Sequence, residues 1–83
     1  MRRMSRYAAT LKRSEWQEFQ SRLCTNLANA RAAAQLAHKD IAQRMKCTVG
    51  TSIRWHAGRS QPSLHDLVAL AKLYKVQVRE LVA

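Results

Sequence analysis

The sequence predicts an all-α fold of five helices, on three observations. Apolar residues recur in steps of three and four, the spacing of one helical face. Capping pairs precede the apolar runs, as in SEWQ at 14–17 and SLHD at 63–66. The chain owns only two glycines and one proline, and Gly50, Gly58 and Pro62 all fall in one short stretch. At 83 residues it is one domain, because two halves would each be too small to bury a core without disulfides or metal.

In order, Ser14 with Gln17 three residues on is a capping box for a first helix of about 15–34. Trp16, Phe19, Leu23, Leu27 and Ala30 form its apolar face, and the ANARAAA run continues it on alanine's high helix propensity. Ile41, Ala42 and Met45 share one side of a second helix over roughly 38–45. Thr48 is a good N-cap for a third short helix, which Gly58 ends as the αL residue just past the last turn. Pro62 stiffens the approach to a fourth helix, capped by Ser63 and Asp66, with Leu64, Leu67, Val68, Ala71 and Tyr74 as its buried stripe. Val78, Leu81 and Val82 favour a last short helix over an isolated strand.

Charge narrows the function. Fifteen Lys and Arg against five Asp and Glu leave +10 on the chain, an excess that repels itself unless a polyanion meets it. Nucleic acid leads a merely solubilising surface. It also leads an anionic membrane, since no segment joins a basic face to a large apolar one. Residues 1–13 carry Arg2, Arg3, Arg6, Lys12 and Arg13 with no acid, which suits an arm tracking phosphates and a tail doing nothing equally well. No apolar run is long enough for a membrane span and the N-terminus lacks a secretory signal, so the cytoplasm is expected. Cys24 and Cys47 stand apart without a CxxC pair, and His38, His56 and His65 have no metal-site spacing, so neither metal nor cofactor is expected and both thiols read as packing residues. Five acids and three scattered histidines supply no nucleophile and base pair, which argues against an enzyme.

A short helix, a tight turn and a second short helix ahead of a loop is helix-turn-helix arithmetic. From Leu27 onward the chain resembles the Cro and lambda-repressor type of helix-turn-helix protein, the XRE family. Leu27, Arg31, Leu36, DIAQRM at 40–45, then Thr51, Arg54, Trp55, Gly58, Arg59 and PSL at 62–64, and LVALAKLYKVQVREL at 67–81 carry the resemblance. It implies a five-helix lambda-repressor-like domain over 14–83, behind a basic arm over 1–13. It also implies a sequence-specific regulator of transcription, a repressor-like homodimer on a short palindrome in double-stranded DNA. The small size and lack of a ligand domain resemble the regulators of phages and mobile elements.

Carried over residue by residue, the resemblance makes 49–57 the recognition helix in the major groove. Thr48, Val49, Gly50 and Thr51 in its first turn and Arg54 one turn later face bases or phosphates, Arg54 being suited to bidentate pairing with guanine. His38 falls where the family often has a glutamine reaching the DNA backbone, and Lys39 follows it. Arg59 and Ser60 occupy the loop that usually touches phosphate, and Arg2, Arg3 and Arg6 extend the basic surface. Trp55 admits a nucleotide-stacking reading, but helical spacing puts it in the core.

The chain departs from the family pattern at several places. Gln35, Lys46 and Lys75 stand where glycine is common, so those turns must tolerate side chains. Ala37 replaces a usual Ser or Thr cap, so the first helix is free to bend into the second without a clean break. Ser52 sits where an apolar residue packs inward, and Ile53 sits outward. His56 replaces a glutamate partner of Arg31; a neutral His56 accepting from Arg31 is favoured, and Arg31 turned to solvent is the alternative. Val49 and Ile53 give the competing function, a protein-binding module or antitoxin that docks a partner protein on this apolar face. For the dimer contact there are two candidates, the final helix (Val78, Leu81, Val82) and the Trp16–Phe19 face.

Overall fold

The computed structural model describes residues 11–83, and every described element is helical. The helices are α1 (Arg13–Ala34), α2 (His38–Met45), α3 (Val49–Ala57), α4 (Leu64–Tyr74) and α5 (Val78–Val82). The long α1 is the spine against which α3, α4 and α5 pack, while α2 packs on α3. Leu23, Leu27, Ile41, Trp55, Leu67, Leu70, Ala71, Tyr74 and Leu81 meet in one core.

Each boundary has a local cause. The first helix begins earlier than its expected cap at Ser14: Lys12 is the N-cap, and its N–H donates to the Glu15 carboxylate at 2.9 Å. Charged Glu15 also suits the positive end of the helix, which explains why this pair displaces Ser14 and Gln17. At the other end the break is clean despite the missing hydroxyl at Ala37. Gln35 is left-handed at φ 58°, Ala37 is extended, and the Asp40 carboxylate accepts the Ala37 N–H at 3.0 Å. Arg31 Nη1 closes the corner by donating to the Leu36 carbonyl at 2.8 Å. Thr48 and Ser63 cap α3 and α4 as expected, accepting from the backbone N–H of Thr51 and Asp66.

The three helix ends that lack glycine all adopt the left-handed conformation with side chains in place, at Gln35, Lys46 and Lys75 (φ 58°, 57° and 60°). Gly58 does so with φ 79°. It carries a second constraint, since a Cβ built there would lie 3.1 Å from Cys24 Sγ. Gly58 thus ends α3 and lets it lie close against α1.

Two expected faces are corrected. Leu64 and Val68 lie outside the buried stripe of α4, 74% and 50% exposed. The helix instead buries Leu67, Leu70, Ala71 and Tyr74, a complete i, i+3, i+4, i+7 set. The sequence LHDLVALAKLY is apolar around most of its circumference, so periodicity alone allows either face. In α5, Leu81 is 1% exposed, and Val78 and Val82 pack against the core. Asn26 Nδ2 reinforces this by donating to the carbonyls of Leu81 and Ala83, both at 3.0 Å. That placement covers Leu81, while Val78 and Val82 stay partly exposed.

Candidate nucleic-acid interface

The α2–turn–α3 unit turns one side to the core and the other outward. Inward go Ile41, Ala42, Ser52, Trp55 and His56, which settles Trp55 as a core residue. Outward go Lys39, Val49, Ile53 and Arg54, with Val49 42% and Ile53 46% exposed. The turn is Lys46 to Thr48, where the Cys47 N–H reaches back to the Ala42 carbonyl at 3.0 Å. Cys24 and Cys47 are both free and half-buried, and burial followed by the nearby Asp66 carboxylate pushes the Cys47 thiol up.

The first turn of α3 holds four of the expected residues together. Thr48 Oγ1 accepts the Thr51 N–H at 3.1 Å and lies 2.9 Å from Thr51 Oγ1, to which Arg54 Nη2 donates at 3.2 Å. Gly50 lies beneath the Arg54 guanidinium. The other four helices each carry an acid in the first turn, whereas α3 has none. Its positive end is therefore left uncompensated beside Arg54, an arrangement suited to an anion.

The loop after α3 folds back on the same helix. The N–H groups of Arg59 and Ser60 both point to the Arg54 carbonyl, at 2.9 and 3.4 Å. Those amides are spent on the helix end, so only the side chains of Arg59 and Ser60 are available to a phosphate. Lys39 is exposed on α2. Arg2, Arg3 and Arg6 lie outside the described residues.

His38 is only half-exposed, because its ring is tied inward: Nδ1 lies 2.9 Å from Ser52 Oγ. Ser52, fully buried where an apolar residue was expected, is thereby satisfied, and its carbonyl receives His56 Nδ1 at 2.6 Å. A carbonyl only accepts, so His56 Nδ1 carries the proton; the bare Nε2 then accepts from the Tyr74 hydroxyl, 2.6 Å away. This corrects the expected partner: His56 is hydrogen-bonded to Tyr74 and Ser52, not to Arg31. Burial lowers the His56 pKa, His38 and Arg31 lower it further, and the Ser52 hydrogen bond opposes them. Burial and then Arg31 lower His38, while burial raises Tyr74 against the opposing charge of Arg31. Arg31 has turned to the Leu36 carbonyl, and its buried Nε has no hydrogen-bond partner among the described residues. Tyr74 gave no sequence signal beyond its place in an apolar stripe, and Ser52 signalled itself only as a polar residue at an inward position.

These features define a helix-turn-helix protein. The sequence profile of the helix-turn-helix domain family matches residues 22–83, and the chain belongs to that family, which is found in XRE-type regulators. Family membership makes it a DNA-binding regulator in the general sense. No curated protein and no solved structure matches the chain. Among the described residues no helix is long and apolar enough to cross a membrane.

Proposed function

We propose that the protein is a sequence-specific transcriptional regulator that binds double-stranded DNA as a repressor-like homodimer on a short palindrome. The observation that carries this reading is the outward side of α3, where Arg54 stands over a helix N-terminus that no acid neutralises. Arg54 reads a base, Thr48 and Thr51 line the helix entry, and the side chains of Lys39, Arg59 and Ser60 hold phosphates. His38 flanks the entry with the ring edge that Ser52 does not use. Two recognition helices reading successive half-sites would stand about 34–36 Å apart. The dimer contact is drawn from the partly exposed Val78 and Val82 of α5 or from the Trp16–Phe19 face, whose rings stack at 5.8 Å with Trp16 left exposed.

Selection of bound sequences from random duplexes tests this reading, and an inverted repeat is the expected result. On that site, Arg54→Ala costs about 1–3 kcal/mol and relaxes one base position, whereas Arg59→Ala weakens all sequences alike. Equal loss on matched and scrambled duplexes for Arg54→Ala would remove it as a base reader. The exposure of Val49 and Ile53 on successive turns favours a second reading, a protein-docking surface. That reading wins if Val49→Ala and Ile53→Ala leave DNA binding intact and abolish a protein complex.

A further inference from the structure

We infer that Gly50 and Thr51 are positioning residues for Arg54, holding its guanidinium over the first turn of α3 so that it meets a base already aimed. The inference rests on the DNA-binding reading and adds to it why the recognition helix opens with glycine. The chain has two glycines, and Gly58 is explained by its left-handed backbone. Gly50 is not: it lies inside α3, outside the left-handed region, where alanine would make a more stable helix. What lies close against the place of its missing side chain is Arg54. A Cβ at position 50 would sit 3.3 Å from Arg54 Nη1 and 3.8 Å from Thr48 Oγ1.

Thr51 supplies the other half of the clamp. Its Oγ1 accepts from Arg54 Nη2 at 3.2 Å and is itself fixed by Thr48 Oγ1 at 2.9 Å, which also caps the helix. The guanidinium is thus tied through two hydroxyls to the helix backbone. Arginine has five N–H donors, and Thr51 takes one. Both terminal nitrogens keep at least one proton, so the fork that pairs with guanine O6 and N7 remains available. Holding the side chain before binding removes the ordering cost that a free arginine would meet on contact with DNA.

The experiment compares Gly50→Ala, Thr51→Val, Thr51→Ser and Arg54→Ala with the parent. Each is measured for thermal midpoint and for binding to the selected duplex and to duplexes with each base pair changed singly. In Gly50→Ala the exposed end of Arg54 must give way. The midpoint is expected to rise while discrimination at the base pair read by Arg54 falls roughly three- to tenfold, the scale of ordering one free side chain. Thr51→Val loses discrimination at that same base pair, and Thr51→Ser, which keeps the hydroxyl, restores it. Retained discrimination in Gly50→Ala and Thr51→Val overturns the inference, as does loss at a base pair that Arg54→Ala leaves unaffected. A uniform loss of affinity in Gly50→Ala also overturns it, placing Gly50 against the DNA backbone instead. A parent protein that prefers no duplex overturns the DNA-reading proposal itself, and the inference with it.

Discussion

Single residues carry more than one duty in so small a core. Gly58 serves backbone and packing at once, so Gly58→Ala meets both the left-handed penalty and Cys24 Sγ at 3.1 Å. Denaturant unfolding should show a loss of about 2–5 kcal/mol, the sum of an αL cost of about 1–2 kcal/mol and an overpacking cost of about 1–3 kcal/mol. Adding Cys24→Ala to Gly58→Ala should recover the packing part and leave the backbone part, and strict additivity of the two changes would contradict the contact. His56 ties stability to pH in the same way. The groups facing it are the Ser52 carbonyl, the Tyr74 hydroxyl, the His38 ring edge at 5.2 Å and the Arg31 charge. His56 and His38 both lie below their ordinary 6.5 in the folded state, so below pH 6.5 the unfolded chain binds more protons. Stability should therefore be full above 6.5 and fall as the solution becomes more acid, by at most about 1.4 kcal/mol per pH unit for each ring. Tyr74 lies above its ordinary 10, so the same relation removes its contribution as pH rises past 10. Unfolding midpoints across pH should form a plateau with two falling limbs, and an acid limb unchanged by His56→Gln would exclude this source.

At the scale of elements, α2 and α3 run from His38 to Met45 and from Val49 to Ala57, as expected from the sequence. Thr48 and Gly58 are strong local signals, and local signals act through neighbouring backbone. What sequence reading missed was held by contacts distant in the chain. Tyr74 reaches His56 across 18 residues, Asn26 reaches Leu81 across 55, and neither pairing has a periodicity. The rotation of α4 was likewise decided by α1 and α5, against an apolar run that permits two faces. Within the candidate site, Arg54 and Thr48 were legible as types at positions, but the clamp over Gly50 needed side-chain geometry. The element ends that lack their preferred residues predict where stability can be added. Ala37→Ser supplies an oxygen for the first turn of α2, beside the existing Asp40 bond, and should add about 1 kcal/mol. Lys46→Gly relieves a left-handed lysine at φ 57° and should add up to about 1 kcal/mol, less the flexibility it gives the unfolded chain. Thermal unfolding checks both, and an unchanged midpoint in Ala37→Ser would mean that Asp40 alone already satisfies that helix end.

For the whole molecule, charge and fold have different tasks. The helices fix where α3 points, while a net charge of +10 sets how strongly any duplex is attracted. We propose that the basic residues ahead of α1, within the stretch 1–13, act as a phosphate-tracking arm, while Lys12 and Arg13 belong to the start of α1. Five of the cations lie in those thirteen residues without an acid among them. Lys12 caps α1 through Glu15, so the cut that tests the arm must spare it. Removing residues 1–10 takes away Arg2, Arg3 and Arg6 and leaves the helix start intact. Each of those arginines that neutralises a phosphate contributes about 0.9 to the negative slope of log K against log salt. The truncated protein should bind every duplex more weakly at low salt, with a flatter slope and the same ratio between selected and scrambled sites. Preserved ratio with flattened slope separates attraction from reading, because phosphates carry no sequence. If slope and affinity both stay at the parent's values, Arg2, Arg3 and Arg6 touch no phosphate and the salt dependence belongs to the cations that remain, Lys39, Arg54 and Arg59 among them. If instead the ratio falls, those N-terminal arginines take part in recognising sequence, and the division of labour between arm and recognition helix is wrong.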